Sequence, residues 1–489
     1  MPTAPHGIDE DARPPSVLAR AGLAVARTLV GRRFTAGLAE LRATLTQSAD
    51  ELHARQEARI RAIVTHAIRS VPFWREAARG LGMDAGDVRG REDLVRLPVV
   101  DKAVFRSRPL EQFLAEGVPE HRRIPYRTSG STGDPFAFVL DRKAMPVVFA
   151  SHLFFDSIYG LDPFDRSLRI QGPPAAEPPL PAGTPWRARV RAALTRRMQA
   201  RYERTTMRRL STLEASPERV RALLEGFRPE YLLGYTSTLA VLAESFLRAG
   251  WRPPRPLRAV ITIAETLTVE RRTALEAAFG APLANRYGQR EFKFWCAQSP
   301  PGDPTRFDVH PDLVVFETLR DDGRACDEDE CGRVVLTNLH NEVMPFLRYD
   351  TGDLATRREA RGAQRFPVMG RLDGRTQEIL RLPNGVVLDA TTVGHMLFVV
   401  RGHADAVRLY QVVQEEPDLL RLRLVPRAEH AEPSRTAALL ARVRDDLAAI
   451  AGDGIRVLAD AVTEIPLERS GKRPVLKAYR GVAPASHVR

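Results

Sequence analysis

Two kinds of apolar segment alternate along the middle of the chain, and this alternation limits the fold more than any other feature. Short runs of the buried type, "YLLGY", "LRAVITIAE" and "PLANRYG", follow one another between residues 231 and 288. Amphipathic helical patterns at 216–226, 238–249 and 269–279 precede or separate them, and Gly280 stands just beyond the last. Because strands that alternate with helices form parallel sheets, the sequence predicts an α/β fold with a mainly parallel sheet.

The regions on either side of this core differ from it. Residues 1–110 are predicted to form a helical lead-in, in which apolar residues recur at helical spacing up to Pro72. Past Gly302 the chain is rich in strand patterns, and its last part combines strands with a helix. We therefore expect a large N-terminal domain at 1–370, which includes the lead-in, and a small α+β C-terminal domain at 371–489.

Composition is typical of a globular chain. Hydrophobic residues make up 44% of the 489 residues, and no apolar run approaches the roughly 20 residues that would span a bilayer. Acidic residues and prolines occupy the positions where a secretory signal would have its apolar core. We expect a cytoplasmic protein with no membrane partner.

The net charge of +12 raises the question of a nucleic-acid partner. Only five of the 73 basic residues are lysines, and the arginines are spread along the chain among acids, so we do not expect nucleic-acid binding. The one dense run lies at 187–209, with nine arginines and a single acid, Glu203. We interpret it as a solvated helix face, with a docking surface for a phosphate-bearing ligand or an acidic carrier protein as the alternative.

The sequence "TSGSTGDP" at 128–135 is the strongest local signal for a binding site. Its small residues let backbone N–H groups turn toward an anion, and its hydroxyls add donors for phosphate oxygens. It is not a Walker loop, because no Gly-Lys-Ser/Thr closes it, and a flexible turn is the alternative. The residues expected to bind the phosphates of ATP are Thr128, Ser129, Gly130, Ser131, Thr132 and Gly133.

Four more motifs follow this loop along the chain: "NRYGQRE", "YDTGDLA", "MGRLDG" and "ERSGKRPVLK". In this order, the five resemble the motif set of adenylate-forming enzymes, which include acyl-CoA synthetases, peptide-synthetase adenylation domains and luciferases. Segments such as "HAIRSVPFWREAARGLG" and "LVRLPVVDKAVFR" resemble the phenylacetate–CoA ligase-like and capsular polysaccharide ligase-like branch. The resemblance covers about residues 55–480. It implies an N-terminal adenylate-forming domain and a mobile C-terminal lid.

The resemblance also implies roles at the nucleotide. Tyr287 would cover the adenine, Asp353 would hold the ribose hydroxyls, and Glu291 would hold Mg²⁺. A turn aspartate and an ordinary helix acid are the alternatives for the two carboxylates. Further ATP or AMP contacts are expected from Ala264, Glu265, Asn285 and Gly288.

The lid motifs supply a second set of implied roles. Lys472 would be the catalytic lysine near the bridging phosphate oxygens, Arg371 would touch the ribose, and Asp373 would be the hinge between the domains. A mobile ammonium group suits the charge that develops as pyrophosphate leaves. An ordinary surface lysine is the alternative for Lys472.

The acyl pocket is expected to include Tyr235, Ile263 and Arg290. Here the chain departs from the family pattern, because Gln289 and Arg290 stand where a threonine normally precedes the glutamate. The Arg290 guanidinium could take over the phosphate contact of that threonine, or point into the acyl pocket and pair with a second carboxylate.

The function implied is ATP-dependent activation of an aromatic or other hydrophobic carboxylic acid to an acyl-AMP, followed by transfer to coenzyme A. Two alternatives stay open: transfer of the acyl group to an amine or a carrier-protein thiol, and an inactive relative that serves as a basic nucleic-acid-binding or scaffold protein. The cofactors and co-substrates would be ATP, Mg²⁺ and coenzyme A. The oligomeric state also stays open, with a homodimer as one option.

The three cysteines of the chain lie close together in the sequence. Cys296, Cys326 and Cys331, with His310 between them, form a Cys₃His set that suits tetrahedral Zn²⁺. We therefore expect a structural zinc ion, with His340 as a substitute ligand. The alternative is that the cysteines are free and buried and the histidine is exposed.

Overall fold

The computed structural model of the protein describes residues 32–127, 136–171, 186–212, 214–361, 364–375, 380–388, 390–403, 406–466 and 473–479. The phosphate loop predicted at 128–135 and the predicted catalytic Lys472 therefore lie outside the described residues.

Helices dominate the described chain up to residue 110, as expected. They are α1 (Arg32–Ala43), α2 (Ala49–Ser70), α3 (Pro72–Gly80), α4 (Arg91–Leu94) and α5 (Lys102–Arg106). Helix α2 begins at a capping box, in which Ser48 and Glu51 satisfy each other's backbone N–H groups. It ends before Pro72, and it buries a face that includes Ile60 and Val64.

The described strands of the large domain form a two-stranded ribbon and an 11-stranded sheet. The ribbon pairs β1 (Arg123–Arg127) with β2 (Ala137–Asp141). The sheet has the strand order β10-β11-β12-β13-β9-β8-β7-β6-β5-β3-β4. Its members are β3 (Ser167–Ile170), β4 (Met207–Leu210), β5 (Tyr231–Tyr235), β6 (Ala259–Ile263), β7 (Leu283–Gly288), β8 (Trp295–Gln298), β9 (Phe307–Val309), β10 (Val314–Leu319), β11 (Cys331–Asn338), β12 (Tyr349–Arg357) and β13 (Val368–Arg375).

Strands β3 to β7 pair in parallel, as predicted for this region. The pairings that run from β7 through β8, β9, β13, β12 and β11 to β10 are antiparallel, so the described sheet is mixed rather than mainly parallel. The helices of this region are α6 (Met145–Ile158), α7 (Trp186–Thr206), α8 (Pro217–Gly226), α9 (Thr236–Arg248) and α10 (Val269–Phe279). Strand β6 is buried at every position, as expected for a parallel strand that is covered on both faces.

The helical lead-in is attached to the sheet by backbone and side-chain bonds. Val100 accepts a backbone hydrogen bond from Asp350 at 2.8 Å and donates one to Arg348 at 3.0 Å. The Arg348 guanidinium donates to the carbonyl oxygens of Val95 and Leu97 and pairs with Glu317. These contacts hold the start of α5 beside β12.

The C-terminal part has a hydrophobic core of its own. Its elements are β14 (Leu380–Arg381), β15 (Val387–Leu388), α11 (Ala390–Gly394) with a π-helical turn (His395–Val400), β16 (Val407–Glu416), β17 (Leu419–Pro426), α12 (Pro433–Ala451), β18 (Arg456–Ala461) and β19 (Leu476–Lys477). Four strands form a sheet in the order β18-β17-β16-β19. This small α+β unit corresponds to the predicted lid. Among the described helices, none is both long and apolar enough to span a bilayer.

Candidate active site

Strands β5, β6 and β7 end at the same edge of the sheet, where ligands bind in parallel α/β folds. Tyr235 ends β5 and lies opposite Ile263, which ends β6. Ala264 follows with a φ of 66°, a left-handed conformation that turns the chain out of the sheet. Gly288 ends β7. The structure thus brings the predicted acyl-pocket and nucleotide segments to one edge.

A buried hydrogen-bonded group joins two of the predicted nucleotide residues. The Tyr287 hydroxyl donates to Oδ2 of Asp353 at 2.8 Å. Nε2 of Gln289 donates to the same oxygen at 2.6 Å and to the Tyr287 hydroxyl oxygen at 2.7 Å. Burial raises the pKa of Tyr287 well above its usual value, so the phenol stays a donor. Gln289, which follows Gly288, therefore helps to fix the Asp353 carboxylate.

The predicted magnesium ligand, Glu291, is paired with a cation from the lead-in. Its Oε1 accepts from the Tyr349 hydroxyl at 3.0 Å and lies 3.0 Å from Nζ of Lys102. The Glu291 side chain is 2% exposed and that of Lys102 is 36% exposed. Sequence reasoning missed Lys102, because the contact depends on how the lead-in docks on β12.

Two more cations lie in the turn that carries Glu291. Arg290 is exposed, and Nζ of Lys293 lies 4.3 Å from the ring centre of Tyr126 in β1. Burial, and then the charge of Arg290, lower the pKa of Lys293. Strand β1 ends directly before residue 128, so Lys293 lies against the strand that leads into the predicted phosphate loop.

Two predicted nucleotide residues of β7 pack against neighbouring segments of the large domain. Asn285 is buried and accepts a hydrogen bond from the Thr262 hydroxyl at 3.4 Å. Gly288 has no room for a side chain, because a Cβ there would lie 2.7 Å from the carbonyl oxygen of Phe294. Both residues therefore shape the strand end that carries Tyr287.

Glu265 connects the large domain to the lid. Its carboxylate accepts from the Ser237 backbone N–H at 2.7 Å and from the Ser237 hydroxyl at 3.1 Å. It also accepts from the backbone N–H of Arg473 at 3.1 Å. Arg473 directly follows Lys472 in the sequence. The segment that carries the predicted catalytic lysine is therefore tied to the edge of the sheet where β6 ends.

Arg371 and Asp373, the predicted ribose contact and hinge, form an ion pair within β13. Asp373 is buried, and its Oδ2 accepts from the Thr356 hydroxyl at 3.1 Å and from the Cys331 thiol at 3.3 Å. Strand β13 continues to Arg375, so the large sheet includes the first residues that were assigned to the C-terminal domain.

The predicted zinc site is wrong. Within the described ranges, no group of three or more His, Cys, Asp or Glu side chains could hold a metal ion. Cys296 is buried in the core on β8, and burial raises the pKa of its thiol. His310 is buried rather than exposed. Its Nε2 contacts the hydroxyl of Thr44 in the turn after α1, and its Nδ1 accepts from the backbone N–H of Asp312.

The other two cysteines complete this correction. Cys326 is buried and Cys331 is exposed at the start of β11. The Cys331 thiol bonds to Asp373 instead of facing the other cysteines. His340, the substitute ligand, bonds to the Asp312 carbonyl oxygen at 2.8 Å. Closeness in sequence did not bring these side chains together.

The chain is similar in sequence to known ligases. No family model matches it. It is 27% identical over 385 residues to phenylacetate–coenzyme A ligase of Thermus thermophilus, an alignment that covers 74% of this chain and 78% of the relative.

Solved structures show the same fold. The crystal structure of 2-hydroxyisobutyryl-CoA ligase in the postadenylation state, in complex with R3-HIB-AMP, has a TM-score of 0.68 and 17% identity, and covers 88% of this chain and 90% of that chain. The same enzyme with 2-HIB-AMP and CoA in the thioesterification state has a TM-score of 0.54 and 18% identity, with coverages of 88% and 91%. The expected resemblance and the expected fold, a large domain followed by a smaller C-terminal one, are confirmed.

Proposed function

We propose that this adenylate-forming enzyme converts a carboxylic acid and ATP into an acyl-AMP and pyrophosphate, and then transfers the acyl group to coenzyme A. The observation that carries the proposal is the bond from the Arg473 backbone to Glu265, because it ties the segment next to Lys472 to the nucleotide edge. The curated relative is a phenylacetate–CoA ligase, which supports an aromatic or other hydrophobic acid as substrate.

In the first step, a carboxylate oxygen of the acid attacks the α-phosphorus of ATP, and the bond from that phosphorus to the bridging oxygen breaks. Two anions must meet and pyrophosphate must leave, so fixed cations and alignment lower the barrier. We assign this work to Lys102 from the lead-in and Lys472 from the lid, with the loop at 128–133 holding the phosphates. Arg290 and Lys293 add positive charge near the start of that loop.

Asp353 is assigned to the ribose and Tyr287 to the adenine side of the site. The Asp353 carboxylate is oriented by two donors, Tyr287 and Gln289, so it is held in place before the nucleotide binds. Glu291 fits a magnesium role, because Mg²⁺ commonly takes only one or two protein carboxylates together with substrate phosphates. Glu291 would hold the ion beside Lys102 and Tyr349, which bond to its carboxylate. When bound, Mg²⁺ would neutralise phosphate charge.

The acyl pocket is assigned to the space at Tyr235 and Ile263. The adjoining face of the sheet is apolar, with Leu233 and Ile261 in the same buried cluster as Ile263. Arg290 is exposed and influences Lys293, which lies against β1. This placement favours the phosphate role of Arg290 over a role in the acyl pocket.

The described arrangement of the two domains fits the adenylating half of the cycle. The TM-score is higher against the postadenylation state of 2-hydroxyisobutyryl-CoA ligase than against its thioesterification state. Besides the Arg473 contact, Arg427 of the lid lies 3.8 Å from Glu244 of α9. Thiolate attack on the acyl-AMP would follow a turn of the lid, for which Asp373 remains the proposed hinge.

ATP–pyrophosphate exchange across a panel of carboxylic acids tests the proposal. Exchange that depends on one class of acid, followed by a CoA thioester when CoA is added, is the expected result. Exchange without a CoA-dependent product would point to an amine or a carrier-protein thiol as acceptor. RNA binding that weakens with salt, in a protein with no ATP turnover, would support the inactive relative instead.

A further inference from the structure

Helix α7 exposes a row of large apolar side chains. Trp186 is 68% exposed, Val190 is 58% exposed and Leu194 is 52% exposed. Residues four positions apart lie on the same face of a helix, so these three side chains form one continuous stripe. Single exposed apolar residues are normal on protein surfaces, whereas a contiguous row marks a surface that contacts something.

The same helix is strongly basic. Its 21 residues contain seven arginines and one glutamate, which gives a net charge of +6. Among the described side chains, Arg189 and Arg197 are exposed within three or four positions of the apolar stripe. Exposed apolar side chains that are interleaved with arginines suit an anionic lipid surface, because guanidinium groups can bond to lipid phosphates while the apolar side chains enter the headgroup boundary.

Among the described elements, α7 extends beyond the edge of the large sheet. The helix ends at Thr206, directly before Met207 starts β4, and β4 is the last strand at its end of the described sheet. Because α7 spans about 31 Å at 1.5 Å per residue, it reaches far beyond the four residues of β4. The stripe is on its first half, away from that junction.

We propose that α7 docks the protein on an anionic lipid surface, with Trp186, Val190 and Leu194 inserted at the headgroup boundary and the arginines on lipid phosphates. Charge complementarity requires an anionic partner, and the stripe requires an apolar phase. Nucleic acid offers no such phase to aliphatic side chains. A soluble acidic protein would need an apolar groove that matches these three side chains, whereas a bilayer can accommodate them without a preformed groove.

This inference goes beyond the proposed reaction and does not depend on it. It revises the expectation of no membrane partner, which came from the lack of a spanning apolar run. A helix that lies along a surface needs no such run.

Co-sedimentation of the full chain with vesicles tests the inference. We expect binding to vesicles of phosphatidylcholine with phosphatidylglycerol, a much weaker interaction with phosphatidylcholine alone, and loss of binding as salt rises. Each arginine near an anionic surface contributes to the binding free energy. Removal of one such charge, in Arg189→Gln or Arg197→Gln, should therefore weaken vesicle binding about fivefold. Val190→Asp with Leu194→Asp should abolish it.

Two matched controls separate this stripe from general surface effects. Arg442→Gln removes the same charge from an exposed position on α12, and Leu458→Asp puts the same acid at an apolar position of the lid that is 43% exposed. Both variants should bind vesicles like the wild type, and all variants should keep the wild-type melting temperature. Equal binding to neutral and anionic vesicles, or binding retained by Val190→Asp with Leu194→Asp, would overturn the proposal. Capture by an acidic protein or RNA without vesicle binding would also overturn it.

Discussion

Replacing Lys102 by glutamine tests the contact between the lead-in and the Glu291 carboxylate. The two charges lie 3.0 Å apart, so their attraction is about 5.5 kcal/mol at an effective dielectric constant of 20 and about 1.4 kcal/mol in water. Glu291 is buried while Lys102 is about one-third exposed, so solvent screening reduces the net loss. We expect Lys102→Gln to lower the free energy of unfolding by about 2 kcal/mol.

The same change should affect the reaction more than the fold. If the Lys102 ammonium faces the phosphates in the transition state, its removal should slow ATP–pyrophosphate exchange by about 10²–10³-fold. Adding Glu291→Gln removes the unpaired carboxylate, so the double variant should recover most of the stability and none of the exchange rate. Thermal melting and exchange are measured on the same preparations.

Lys143 provides the matched control for Lys102. It pairs with Glu342 at 3.8 Å, and both side chains are about half exposed. Lys143→Gln should change stability by less than about 0.5 kcal/mol and leave the exchange rate unchanged. If Lys102→Gln behaves like Lys143→Gln in both assays, Lys102 neither stabilises Glu291 nor acts on the phosphates.

Three further predictions concern the lid, the strand end and pH. Lys472→Ala should abolish pyrophosphate exchange but spare thioester formation from a supplied acyl-adenylate; near-normal exchange would contradict the assignment. Gly288→Ala should lower the free energy of unfolding by about 1–3 kcal/mol, because the added Cβ would meet a backbone oxygen. Gly226→Ala, which has open space around the added Cβ, should not lower it, and melting curves of the two variants test the difference. Burial raises the pKa of Glu244, so ionisation there opposes folding, and Glu244→Gln should raise the melting temperature at neutral pH. That gain should shrink as the pH falls through the raised pKa and the wild-type carboxyl becomes protonated; a gain that persists in acid would refute it.

The parallel strands of the sheet and the turn at Gly385 could be predicted from sequence because their signals are local. "AVITI" is apolar throughout, and it forms the fully buried strand β6. Pro383-Asn384-Gly385 between apolar runs is typical of a hairpin turn, and β14 pairs with β15 around Gly385, whose φ is 85°. In each case a few adjacent residues decide the conformation.

The contacts at the candidate site depend on elements that are distant in sequence. Lys102 reaches Glu291 only because Val100 pairs with the backbone on either side of Tyr349. Gln289 departs from the family motif, yet its side-chain amide donates to Asp353, which lies on β12. Such pairings follow from strand register and docking, which a single motif does not encode.

The zinc prediction failed for a related reason. Its four ligands were grouped by their positions along the chain, but three strands, β9, β13 and β12, separate β8 from β11 in the sheet. Cys296 on β8 and Cys331 on β11 therefore belong to different parts of the sheet. Spacing predicts a metal site only when a compact loop joins the ligands.

The central claim is that the chain forms an acyl-adenylate. Its most direct measurement is ATP–pyrophosphate exchange by the purified full chain, with phenylacetate, other aromatic acids and aliphatic acids supplied one at a time. We expect exchange that requires both Mg²⁺ and an aromatic or other hydrophobic acid, and that is lost in Lys472→Ala. No exchange with any acid, or exchange that is unchanged without an added acid, would contradict it.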